Sequence, residues 1–175
     1  MKKLILTSLA TLLAAATCGQ TQATDMTGSI GATSQGGMTY RLSLSQDWAK
    51  EWFRTTTGRL TGYWDAGYTY WAAGDKGSAG HSVAFSPVFA YEFSTRNENI
   101  IPFIEAGIGV ALFSSTHVGE QDLGSSFNFE DRIGFGVKLP DHQRVGIRAT
   151  HYSNAGISEP NDGIESYALY YSHGF

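Results

Sequence analysis

The chain has 175 residues, with 12 lysines and arginines against 16 aspartates and glutamates, and a formal net charge of -4 at pH 7. That acidity, with no basic cluster to offset it, argues against nucleic acid as a partner. The chain is rich in aromatics (10 Phe, 9 Tyr, 4 Trp) and in glycine (21), while only 16% of residues are charged; a water-soluble sandwich could carry that mixture, but behind an export signal it suits a membrane barrel.

The first element in chain order is that signal. Lys2 and Lys3 form a basic start, residues 4–16 an apolar stretch, and Thr21-Gln22-Ala23 a small-residue cleavage site. The stretch is too short to cross a bilayer as a helix, and no later segment offers about twenty apolar residues in a row. A retained anchor and lipidation at Cys18 are the rivals, the second weakened by Thr17 before the cysteine. Cleavage after Ala23 removes Cys18, the only cysteine, so the domain at 24–175 holds no disulfide. It also removes Lys2 and Lys3, leaving 10 of the 12 basic residues against 16 acidic ones.

Period-2 alternation then predicts strands over residues 26–33, 38–47, 57–71, 82–93, 101–113, 126–139, 144–154 and 164–174. Residues 47–53 have room for a turn or two of helix. One face of the strands is apolar, as in Leu42, Leu44, Trp64, Phe85, Phe89, Ile104, Ile108, Ile133, Phe135, Ile147 and Leu169, with aromatics toward the strand ends. The opposite face carries Arg41, Arg59, Arg132 and Arg148 with Asp65, Glu92, Glu105 and Glu130, four charges of each sign. Gly107, Gly109, Gly134, Gly136 and Gly146 share that face and leave space for the arginines. A soluble barrel would turn its apolar side inward, so the charged face is assigned to a narrow lumen where the groups neutralise one another.

The fold expected is therefore an all-β, eight-stranded antiparallel transmembrane β-barrel with a polar, salt-bridged interior. Closure supplies every backbone amide with a partner inside lipid. With both termini periplasmic, the connections 34–37, 72–80, 114–124 and 155–163 face outward, and 94–99 and 140–143 are short inner turns. The terminal Tyr171-Ser-His-Gly-Phe175 resembles the signature by which bacterial outer-membrane barrels are recognised for assembly. Pro87 has no amide hydrogen, which predicts a bulge or a missing ladder bond in the fourth strand.

The last hairpin breaks the pattern. The apolar parity of Val145, Ile147 and Ala149 continues to His151 and Ser153, and that of Leu169 and Tyr167 runs back to Glu165. A hairpin centred near Ser158 sets His151 opposite Glu165, at about 5 Å between Cβ atoms, with Ser153 about 7 Å along the strand. Such a set can make a nucleophile: the carboxylate fixes the imidazole, which takes the hydroxyl proton. Spacing alone also allows three ordinary rim residues near the headgroups. His81, His117, His142 and His173 lie near loops or termini and show no comparable arrangement. Zinc-ligand spacing, a phosphate loop and a dinucleotide motif are absent. Asp75, Glu120 and Asp122 for a divalent ion, and Lys76 for a phosphate, stay open.

At this hairpin the sequence resembles the bacterial outer-membrane lipid A 3-O-deacylase family, through His151-Tyr152-Ser153-Asn154-Ala155-Gly156 and Pro160-Asn161-Asp162-Gly163-Ile164-Glu165. The likeness extends to Gly58-Arg59-Leu60-Thr61-Gly62-Tyr63-Trp64 and Ile104-Glu105-Ala106-Gly107-Ile108-Gly109. The resemblance implies hydrolysis of the ester-linked 3-hydroxyacyl chain at position 3 of lipid A, without a cofactor. Ser153 would be the nucleophile, His151 the base and Glu165 the orienting acid. Asn154, Gly156 and Asn161 are oxyanion or loop-support candidates. The partner implied is lipid A of lipopolysaccharide in the outer leaflet of the outer membrane. Two other readings keep the same fold: a noncatalytic structural or adhesive barrel, and an acyltransferase. A homodimer is left open, since lipid alone requires the apolar wall.

Overall fold

The structure is a computed structural model that describes residues 24–74, 77–97 and 99–175. Residues 1–23, expected from the sequence to be an export signal, and the loop residues Asp75 and Lys76 lie outside them. Eight long strands close into a single antiparallel cylinder in the order β1-β10-β9-β8-β5-β4-β3-β2. They are β1 (Thr24–Thr33), β2 (Met38–Asp47), β3 (Gly58–Trp71), β4 (Gly80–Phe93), β5 (Ile101–Phe113), β8 (Phe127–Leu139), β9 (Gln143–Ser153) and β10 (Ile164–Gly174). Two short strands, β6 (His117–Val118) and β7 (Gln121–Asp122), form a small hairpin in the connection before β8. They were not predicted, because two residues per strand carry no alternation to read. Residues 47–53 form no helix; Trp52 and Leu60 instead exchange backbone hydrogen bonds of 2.7 and 2.9 Å, extending the β2–β3 hairpin.

β5 shows how sequence becomes wall. Ile104, Ala106, Ile108, Val110 and Leu112 point to the exposed side, while Phe103, Glu105, Gly107, Gly109 and Ala111 are buried. Large aliphatic side chains are left in the open all round the cylinder, Ile108 at 68% exposure and Ile133 at 65%. Asp65, Glu92, Glu105, Glu130 and Arg132 are almost fully buried. Apolar outside and ionic inside is the arrangement of a membrane-spanning barrel, since water would drive the reverse.

Inside, Asp65 Oδ1 accepts from Arg41 at 2.6 Å and from Arg132 at 2.8 Å. Glu130 is met by Arg41 at 3.1 Å, by Arg132, by the Ser86 hydroxyl at 2.6 Å and by the Tyr152 phenol at 2.7 Å. Arg148 donates to Glu105 at 2.7 Å, and Tyr63 donates to the other carboxylate oxygen at the same distance. Further pairs close one end of the lumen: Arg59 and Lys138 on Glu92, and Arg144 on Asp25 and Asp47. The alternation had shown eight of these charges; Asp25, Asp47, Lys138 and Arg144 join them. At the opposite end Trp71, Phe113, Val118, Leu123, Tyr152 and Ile164 form an apolar stopper, to which the small β6–β7 hairpin contributes Val118. Gly134 is required by this packing, because a Cβ there would stand 2.7 Å from Glu105 Oε1.

Pro87 interrupts one ladder and leaves the other whole. β3 pairs with β4 continuously through Trp64–Pro87, whereas the β4–β5 pairing stops at Phe85–Val110 and resumes at Val88–Gly107. The register is the same on both sides of the gap, so the missing donor costs ladder bonds and produces no bulge.

Candidate active site

The β9–β10 hairpin sets the site. Its ladder pairs His151 with Glu165 directly. The imidazole Nδ1 and the carboxylate Oε1 are 2.9 Å apart. Both side chains are accessible, at 42% and 35% exposure, where the buried pairs of the lumen are closed to solvent. Ser153 ends β9, two residues on and on the same parity, half-buried and opposite Phe129 of β8. Tyr152, between them, points the other way and is anchored on Glu130. Alternation thus puts the side chains of His151 and Ser153 on one face and a buried phenol between them.

The other candidates lie in the connection from β9 to β10. The Asn154 side chain is fully buried, its amide donating to the carbonyls of Leu123 at 2.7 Å and Ser158 at 2.8 Å. Its backbone N–H donates to Asn161 Oδ1 at 3.0 Å. Both asparagines therefore brace the loop. Ala155 and Gly156 follow with φ of 54° and 76°, a left-handed pair exposed at the tip of the turn. Gly163 has φ of 69°, and a Cβ on it would come within 2.9 Å of His151 Cε1. Only glycine fits against the imidazole at that backbone angle.

Two nearby side chains were passed over in reading the sequence. Ser34, in the connection after β1, donates to Glu165 Oε2 at 3.3 Å. Nothing local signals this contact, since it exists only because β1 closes on β10. Asp131 of β8 pairs with His151 from the side opposite Glu165. Its parity was legible, lying between Phe129 and Ile133 in the apolar series. Asp131, His151 and Glu165 open onto a groove of about 630 Å³ whose other walls include Phe89, Ile108, Ile133 and Tyr167. A second hollow of about 840 Å³ shares Phe89, Ile133 and Tyr167 and runs on to Ile104, Phe135, Ile147 and Leu169. The polar groups therefore stand at the head of a long apolar channel.

The remaining loop charges tie connections together. Asp122 N–H donates to Asp162 Oδ2 at 2.9 Å, Asp162 N–H returns to Asp122 O at 3.1 Å, and His117 Nε2 lies 3.2 Å from Asp122. Among the described residues, no group of three or more His, Cys, Asp or Glu stands close enough to hold a metal ion.

Comparison with known proteins bears on this geometry. A family described as Lipid A 3-O-deacylase (PagL) matches residues 34–174. The chain is 60% identical over 171 residues to the Lipid A deacylase PagL of Pseudomonas aeruginosa, across 98% of each chain. It is 37% identical over 138 residues to the Lipid A deacylase PagL of Bordetella bronchiseptica, across 77% of this chain and 76% of that protein. A solved structure described as "Crystal structure of the outer membrane enzyme PagL" superposes with a TM-score of 0.83 at 64% identity, covering 86% of this chain and 99% of that one.

Proposed function

Since the chain belongs to the lipid A 3-O-deacylase (PagL) family, we propose that it hydrolyses the ester-linked 3-hydroxyacyl chain at position 3 of lipid A from the lipid-facing outer wall of its barrel. It is a β-barrel enzyme of the bacterial outer membrane. The observation that carries the mechanism is the 2.9 Å contact of His151 Nδ1 with Glu165 Oε1, on the parity that Ser153 shares. Residues 1–23 are read as the export signal that this destination needs.

Glu165 accepts a hydrogen bond from the Nδ1–H, which fixes the tautomer and leaves Nε2 as the base. Ser153 Oγ attacks the ester carbonyl as Nε2 takes its proton. The tetrahedral oxyanion is met by the backbone amides of Ala155 and Gly156, in the turn that Asn154 and Asn161 hold rigid. His151 then returns the proton to the sugar oxygen at position 3, and the C–O bond breaks to leave an acyl-serine. Water from the headgroup side, deprotonated by the same imidazole, releases the free acid and regenerates Ser153. The acyl chain stays in the apolar channel throughout, and the sugar stays at the interface.

The test uses purified, folded protein with defined lipid A. Wild type is expected to release free 3-hydroxy fatty acid and Ser153→Ala to release none above background. Release at the wild-type rate by Ser153→Ala would remove the nucleophile. Recovery of a newly acylated lipid in place of free acid would make the protein a transferase, and a wild type that neither releases acid nor reacts with an active-serine probe would be a structural barrel.

A further inference from the structure

Three connections on the loop side converge on the small β6–β7 hairpin, although none of its residues belongs to the proposed catalytic set. The β1–β2 connection reaches it through Gln35, whose Oε1 accepts from the Glu120 N–H at 3.2 Å. The β3–β4 connection reaches it through Ser78, whose carbonyl accepts from the Gly119 N–H at 3.4 Å. The β9–β10 connection, which carries the oxyanion turn, is held by three successive carbonyls. Asp122 O accepts from the Asp162 N–H at 3.1 Å, Leu123 O from the Asn154 amide at 2.7 Å, and Gly124 O from the Ser158 hydroxyl at 3.0 Å. The Asp122 N–H also donates to Asp162 Oδ2 at 2.9 Å. Consecutive carbonyls can all face one segment only where the chain is bent. The Asp122 carboxylate makes that bend, its Oδ1 accepting from the Gly124 N–H at 2.9 Å. Gly124 completes it with φ of 62°, where a Cβ would stand 1.9 Å from the Pro160 carbonyl.

We propose that Asp122 is a positioning residue for the reaction: the turn its carboxylate closes aligns the three carbonyls that hold the β9–β10 connection, and so fixes the Ala155 and Gly156 amides where the oxyanion forms. The inference rests on the reading of Ser153 as nucleophile and of those two amides as its oxyanion donors. Ala155 and Gly156 are exposed, and a Cβ on Gly156 would meet nothing within 4 Å. Packing on Gly156 therefore does not hold the turn; the hydrogen bonds of Asn154, Ser158 and Asp162 on either side of it do. The hairpin at the other end of those bonds is a firm reference. Leu123 is fully buried in the apolar stopper, and its N–H donates to Thr116 O at 2.7 Å. His151 and Ser153 depend on a different support, the ladders of β9 with β8 and β10. Loss of the Asp122 carboxylate thus moves the oxyanion donors and leaves base and nucleophile in place. Donors act only within hydrogen-bond distance of the developing charge, so a small displacement lowers the rate with little effect on substrate binding.

The experiment measures kcat, KM and the pH profile of kcat/KM on defined lipid A for wild type, Asp122→Ala, Asp122→Asn and Ser158→Ala. Heat-modified mobility on gels verifies that each barrel is folded. Asp122→Ala should lower kcat by roughly 10- to 100-fold with KM within about 2-fold of wild type. Asp122→Asn keeps an oxygen for the Gly124 N–H and should restore kcat to within about 3-fold of wild type. The profile should rise at the same pH in every variant, because His151 and Glu165 stand on strands that the turn does not support. Ser158→Ala loosens the same junction from its other side and guards against loss of the Asp122→Ala protein; it should lower kcat in the same sense. The double variant should lose little more than the worse single one, since both act through one junction. Wild-type kcat in Asp122→Ala would overturn the assignment. So would an equal loss in Asp122→Asn, which would trace the effect to the charge facing His117, or a displaced pH profile, which would trace it to His151. Ser153→Ala run in parallel separates the two readings: if it is inactive while Asp122→Ala keeps full turnover, only the role of Asp122 fails.

Discussion

Glu165 is held from two sides, and the two contacts are unequal. His151 offers a ring N–H that the proposed mechanism would make part of a charged imidazolium, whereas Ser34 offers a neutral hydroxyl at 3.3 Å. Glu165→Gln keeps the shape but removes the charge that favours the imidazolium, and kcat on defined lipid A should fall roughly 10²- to 10⁴-fold with little change in KM. Ser34→Ala removes one neutral hydrogen bond and should cost at most about 10-fold. If Ser34→Ala were the worse of the two, the hydroxyl and not the carboxylate would orient the base. The difference in legibility follows the same line. His151 and Glu165 belong to one hairpin, so alternation and turn position were enough to pair them. Ser34 is 131 residues from Glu165 and meets it only through barrel closure. The inward turn of the Asn154 side chain depends on carbonyls of Leu123 and Ser158, which no spacing rule locates.

At the scale of elements, long strands were readable because each repeats the two-residue period many times, and their ends shifted by only one or two residues. The connections were not. The β6–β7 hairpin is specified by contacts, with Val118 entering the apolar stopper. The β9–β10 connection depends on left-handed residues, of which Gly163 is the most constrained. Gly163→Ala would strain the backbone by about 1–2 kcal/mol and push the imidazole off Glu165. Urea unfolding in detergent should register that modest loss, while activity falls much further than stability. An alanine variant with wild-type turnover would show that the imidazole does not need its position against Gly163. The interrupted β4–β5 ladder at Pro87 is an element-level case of the opposite kind, since the absent proline donor is written in the sequence and only its outcome, a gap without a bulge, required the register.

The molecule as a whole is an inverted globule, and its stability rests on charges that no water replaces. Arg132 is buried between Asp65 and Glu130, 2.8 Å from the first and in direct contact with the second. Arg132→Met keeps much of the volume but leaves both acids sharing Arg41, and unfolding free energy should drop by about 3–5 kcal/mol. Equilibrium unfolding in lipid vesicles, followed by tryptophan fluorescence, measures it; an unchanged midpoint would mean that the lumen tolerates unmatched charge. Tyr152 carries the consequence to the site, because its phenol holds Glu130 while its backbone joins His151 to Ser153.

Among the described residues, arginine–carboxylate pairs occupy the cylinder and tryptophan, phenylalanine and leucine stopper one end. A solute would have to displace those paired charges to pass, so editing the lipids of an envelope from such a scaffold is expected to leave the envelope's permeability barrier intact.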